Sequence, residues 1–205
     1  MRGAWYAVEQ AGYLLEDAAE LFGRRRFSSC LVFSIYSLEE LGRAKVYLET
    51  RKRVLNSEII TVEFLKERCR RHELKLAEAR IPVTAVAVTF AEPLAPGSEK
   101  EAKLVAHLEC MRQLLESQAP GRAHGGRFRA LYVDPSDDAR QWNRPVKVTK
   151  EEAEEWLDAA RFRYCMDRDE IVNPVEDAGL LRALKNFETR PLLPEIDYDP
   201  FAGLE

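Results

Sequence analysis

Apolar residues recur at intervals of three and four through most of the chain, the spacing of one face of an α-helix. Ala4, Ala7, Val8, Ala11, Leu14, Leu15, Ala18, Leu21 and Phe22 form one such stripe and predict a helix over 4–22. Gly23 marks its end, and the basic turn Arg24-Arg25-Arg26 is short enough to make the next helix an antiparallel neighbour. Ser28 or Ser29 is placed to cap that second helix, which runs to about Arg53. Its stretch from Ser29 to Glu49 is apolar nearly all the way round: Leu31, Ile35, Leu38 and Gly42 on one face, Val32, Tyr36 and Val46 beside it, and Phe33, Ala44 and Tyr47 opposite. Such a helix belongs at the centre of a bundle. Yet it carries Glu39 and Glu40, with Arg43 four residues after Glu39, the spacing of an intrahelical ion pair. A buried carboxylate is costly unless paired, so Glu39 calls for a partner on another helix or for a chemical task.

Further along, Thr61 is a plausible cap for a third helix with the stripe Leu65, Cys69, His72, Leu76 and Ala79, which Pro82 stops. The β-branched, alternating run near 82–90 admits a short extended segment, as does the stretch near 128–134. Ser98 with Glu101, and Thr149 with Glu152, are capping boxes that open helices over about 98–118 and 150–167. Asn173-Pro174 opens a last short helix through Phe187. The fold class this predicts is mainly all-α, an antiparallel helix bundle. It is one helical domain over 1–188 with an acidic, proline-containing tail over 189–205, expected to be extended and mobile.

Composition narrows the picture. The chain has 205 residues, 46% hydrophobic and 32% charged, in keeping with a helix-rich soluble domain. No apolar run reaches the roughly 18 residues of a membrane span, and the N-terminus lacks a signal core, so the expectation is a cytoplasmic protein with no membrane partner. A net charge of −4 gives no global attraction for nucleic acid, although basic clusters occur at 24–26, 51–53, 68–71 and 122–129. Cys30, Cys69, Cys110 and Cys165 are far apart with no CxxC pair, which argues against zinc. Adjacent helical residues diverge by about 100°, so Glu39 and Glu40 do not converge on one ion with His72. The reading assigns no metal and no cofactor.

Four features in order carry a resemblance. The run SSCLVFSIYSLEELGRAKVYLE resembles the "A-x-L…A-x-L-x-x-x-A-x-E-E-x-G-K-A" pattern of the abortive infection protein V (AbiV) family, with Arg43 in the place of the lysine. His72-Glu73-Leu74-Lys75 looks like that family's H-x-x-K motif. Arg127 to Asp134, RFRALYVD, looks like its "K/R…L-Y-V-D" segment, and Trp142, Pro145 and Val148-Thr149 look like its "W…P…it" continuation. The resemblance implies a HEPN-like bundle, a class that is often dimeric and often ribonucleolytic. It also implies an antiphage role in which the infected cell arrests its growth or translation. HEPN ribonucleases typically carry R-x4-6-H; here no histidine has an arginine five to seven positions before it, and Arg127 is followed at that spacing by Tyr132.

Two clusters follow as candidate sites. Glu39, Glu40, Arg43, His72 and Lys75 meet if the second and third helices pack side by side. They then form either an acid–base site, with His72 moving the proton and the cations holding phosphate, or a structural polar network that fixes register. Arg127, Arg129, Tyr132 and Asp134 are either an RNA contact or a turn with its plug. Two functions fit: an RNA- or nucleotide-directed effector, or a non-enzymatic homodimer that engages a phage-encoded activator or the translation machinery.

Overall fold

The computed structural model describes residues 2–79, 147–172 and 193–196 continuously, with isolated residues between 102 and 145. They are predominantly helical: α1 (Arg2–Gly23), α2 (Phe27–Leu55), α3 (Val62–Arg70), α4 (His72–Glu78) and α5 (Lys150–Val172). Between α4 and α5, β1 (Asp134–Pro135) and β2 (Trp142–Asn143) pair antiparallel, Asp134 opposite Asn143 and Pro135 opposite Trp142. Within the stretch near 128–134 expected to be extended, Ala130 and Leu131 are helical and Asp134 is a strand residue. The stretch 82–90, nearly all of the helix expected over 98–118, and the helix expected over 174–187 lie outside the described residues.

α2 is the centre. It packs on α1, α5 and α4, and buries thirteen residues distributed round its circumference, Glu39 among them. α1 offers it a surface of small side chains, Ala4, Ala7, Ala11 and Ala18, so the two helices approach closely. The hydroxyl of Ser37 donates to the carbonyl of Ala11 at 2.9 Å and sets their antiparallel register. On the other side α5 brings Ala153, Trp156, Leu157, Ala160, Phe162 and Tyr164 into the same core.

Helix ends depart from the simplest sequence reading in three places. α1 closes with Arg26 N–H on the carbonyl of Leu21 and Arg25 N–H on Phe22, so the left-handed residue is Arg25 (φ 60°) and not Gly23. α2 begins at Phe27, which puts Ser28 and Ser29 inside it; Arg26 stands at the cap with no side-chain bond. The expected third helix is two helices, broken at Arg71, whose backbone is extended (φ −77°, ψ 109°). The Thr61 and Thr149 caps are made, each hydroxyl accepting from an amide three residues on at 3.1 Å. Residues 193–196 of the tail have no regular structure but are anchored: Leu193 and Pro194 are buried, and the Pro194 carbonyl accepts from Tyr164. Among the described residues no helix is long and apolar enough to cross a membrane.

Candidate functional site

The break at Arg71 re-aims the chain so that α4 crosses α2 at Gly42. A Cβ on Gly42 would lie 1.7 Å from the carbonyl oxygen of Lys75, so only glycine lets the backbones meet there. Glu39, three residues before Gly42 and on the same side of α2, is thereby held against α4. Its Oε2 accepts from His72 Nδ1 at 2.6 Å and from Lys75 Nζ at 3.1 Å. Glu39 is 3% exposed and Lys75 2%, whereas the His72 side chain is 42% exposed. A buried carboxylate and a buried ammonium thus neutralise one another, and the same carboxylate orients an imidazole that solvent reaches. A carboxylate can only accept, which puts the proton on Nδ1 and leaves Nε2 as the lone-pair nitrogen of the neutral ring.

Glu40 and Arg43 are the outer layer. Arg43 pairs with Glu40 at 2.6 Å and not with Glu39, the partner expected from i, i+4 spacing, because Glu39 turns toward α4. Burial pushes the Glu40 carboxyl above the usual carboxylate range; Arg43 and Lys75 pull it back, and Glu39 pushes it further up. One turn beyond Arg43, Tyr47 faces Cys69 of α3, and burial raises its hydroxyl as well. Arg68 pairs with Glu78 and ties α3 to α4. The five residues of the first candidate cluster therefore lie together where α2 faces α4. Of the second cluster, Arg127, Arg129 and Tyr132 lie outside the described residues, and Asp134 is placed only as a strand residue.

A second polar cluster, which sequence reasoning missed, lies where α2 meets α5. Asp167 of α5, 3% exposed, accepts from Arg163 Nε at 2.8 Å and faces Lys45 Nζ at 3.2 Å. Arg163 is equally buried. The available signal was an i, i+4 arginine–aspartate pair inside the apolar run of α5. Its position between α2 and α5 makes it a helix clamp. Among the described residues no group of three or more His, Cys, Asp or Glu side chains is placed to hold a metal ion.

A family model described as AbiV, of the HEPN type, matches residues 2–163. The chain belongs to the AbiV family. That family is one of abortive infection, a defence against phage. The match contains the whole α2–α4 cluster and ends within α5, before Asp167. No curated protein and no solved structure matches this AbiV chain.

Proposed function

We propose that this AbiV protein is an antiphage effector working in the cytoplasm, and that its Glu39–His72–Lys75 cluster acts on RNA or a nucleotide to arrest growth or translation of the infected cell. One observation carries the reading: a carboxylate 3% exposed orients an imidazole that is 42% exposed on its side chain. In that arrangement Nε2 of His72 takes the proton of the ribose 2′-OH as its oxygen bonds to the adjacent phosphorus, and the P–O5′ bond breaks, leaving a 2′,3′-cyclic phosphate and a 5′-hydroxyl protonated from water. Glu39 keeps the Nδ1–H tautomer and stabilises the imidazolium that forms, an effect worth about 10²–10⁴ in rate for a positioned base. Arg43, a third exposed at its side chain, is the cation within reach of a phosphate. Lys75 is buried against Glu39 and acts through it, as a positioning residue.

The test is incubation of purified wild type and His72→Ala with total bacterial RNA, with and without divalent metal, read on a gel. Fragmentation by wild type alone supports the reading. A folded His72→Ala variant that retains full cleavage, toxicity or phage protection overturns it.

A second reading, a homodimeric interaction module engaged by a phage-encoded activator, is favoured by the apolar side chains left exposed at the far end of α2 and on α3. Under it RNA stays intact in every lane, and protection survives in His72→Ala.

A further inference from the structure

The far end of α2 projects from the bundle. With Ser37 bonded to Ala11, the antiparallel register places the start of α1 beside Tyr47, whose ring lies 3.2 Å from where a Cβ on Gly3 would be. Beyond Leu48 no residue of α2 is buried, an overhang of about 10 Å. α3 returns beside this overhang and buries no residue at all.

The two arms are held by charge and not by an apolar core. Arg53 pairs with Glu58 at 2.8 Å, and Arg53 and Arg68 both lie over the Phe64 ring, at 5.2 and 5.9 Å from its centroid. The aliphatic side chains face the other way: Val54, Leu55 and Val62 are more than half exposed, and Ile59 is 94% exposed. Scattered exposed apolar residues are ordinary, but four within nine positions on a projecting tip mark a contact surface. Residues 51–71 also hold seven basic and three acidic side chains, a local excess of four positive charges on a chain whose net charge is −4.

That charge decides the occupant. Two tips pressed together would set like charge against like. The solvent stripe of α1 on the same molecule is the complement: Tyr6 and Tyr13 are about half exposed, two turns apart, with the acids Glu9, Glu16 and Asp17 around them. We infer that the α2–α3 tip of one AbiV chain docks on the tyrosine-bearing acidic stripe of α1 in a second copy. Each molecule carries both surfaces, so a two-fold arrangement makes the contact twice and closes the dimer, whereas a head-to-tail arrangement would leave an open chain. Tyrosine, phenylalanine and arginine are the side chains that interface cores favour. This inference rests on the second reading above and does not depend on the His72 chemistry.

Sedimentation velocity of the full chain tests it. Wild type is expected to sediment as a dimer that weakens as salt rises. Ile59→Asp and the pair Glu16→Lys/Asp17→Lys alter exposed positions, so both variants are expected to keep the wild-type circular dichroism, and each is expected to weaken association at least tenfold. A mixture of the two variants is the sharper arm. Each variant's own dimer loses both contacts, whereas the mixed dimer keeps one, the intact tip of one variant on the intact α1 of the other. A mixed dimer tighter than either parent supports the pairing. A wild type that stays monomeric, a dimer indifferent to Ile59→Asp, or variants that gain nothing on mixing overturns it. RNA cleavage by a monomer would sink this inference while leaving the His72 reading intact, and a dimer without cleavage would do the reverse.

Discussion

Glu39 and His72 are 33 residues apart in sequence, yet Oε2 of the first accepts from Nδ1 of the second at 2.6 Å. The same oxygen holds Lys75, so one buried carboxylate serves an exposed base and a buried cation together. Removing its charge therefore separates two roles. In Glu39→Gln the buried Lys75 ammonium loses the carboxylate it is bonded to, which costs about 3–5 kcal/mol of stability. Replacing both groups, Glu39→Gln with Lys75→Met, is expected to recover most of that loss in a urea titration without restoring activity. His72→Ala truncates a partly exposed ring and is expected to cost much less. If Glu39→Gln unfolds at the wild-type urea concentration, Lys75 is not neutralised by Glu39.

Gly42 is the point on which this geometry turns. A methyl group there would meet the Lys75 carbonyl oxygen at 1.7 Å, and that oxygen is backbone and cannot swing aside. Gly42→Ala is expected to push α4 off α2 and to destabilise by about 1–3 kcal/mol, the range for overpacking a tight contact. It is also expected to lengthen the Glu39–His72 contact. Histidine NMR checks the second point: a His72 ring spectrum identical in both proteins would show that the crossing does not set the pair.

How much of this was legible in the sequence depends on the kind of signal. The bundle was legible because α1, α2 and α5 carry long apolar patterns, and the Thr61 and Thr149 caps because a hydroxyl three residues before a free amide is a local device. That Glu39 needs a partner followed from an acid in an apolar helix. That the partners are His72 and Lys75 became definite only with the Arg71 break, since an unbroken third helix hides the re-aimed crossing at Gly42. The Arg43–Glu40 pairing reversed the i, i+4 expectation because tertiary partners outbid a local one worth about 0.3–0.5 kcal/mol. Of the Asp167 clamp the sequence held only the i, i+4 half, Arg163 with Asp167, because its third member, Lys45, lies on another helix.

That clamp yields its own prediction. Asp167→Asn would leave the guanidinium of Arg163, 3% exposed, without its acid and would also release Lys45. A loss of about 3–5 kcal/mol is expected, seen as a lower thermal midpoint. As Asp167 shares no partner with Glu39 or His72, activity per folded molecule is expected to be unchanged. A drop in specific activity at full folding would place the clamp in the working site.

Cys30 gives a pH signature. Burial pushes its thiol up to about 11, while the Ser34 hydroxyl and Arg161 pull slightly the other way. The unfolded chain ionises this thiol near the ordinary value of 9, so the folded state keeps its proton longer. The contribution is intact below that value, declines as pH rises from there, and is lost by about 11, some 2–3 kcal/mol in all. Comparing wild type with Cys30→Ala across this range isolates it: the variant is expected to lose less stability with rising pH. Parallel curves would mean that Cys30 ionises as freely folded as unfolded.

The anchored tail can be tested at one hydrogen bond. The Tyr164 hydroxyl, fully buried, donates to the Pro194 carbonyl at 2.7 Å, and the hydroxyl and the Pro194 ring both rest on Gly12, where a Cβ would lie 2.7 Å from the hydroxyl oxygen and from the ring Cγ. Tyr164→Phe keeps the ring and leaves the carbonyl without its donor, a cost of about 1–3 kcal/mol. Gly12→Ala attacks the same contact sterically. Both variants are expected to release the end of the tail faster under limited digestion with a glutamate-specific protease, which cuts after Glu195, while the bundle resists at the wild-type rate. Because that cut site directly follows Pro194, its rate reports how often the anchor opens. Unchanged release in both variants would mean that the Tyr164–Pro194 bond follows the docking of Leu193 and Ile196 and does not hold it.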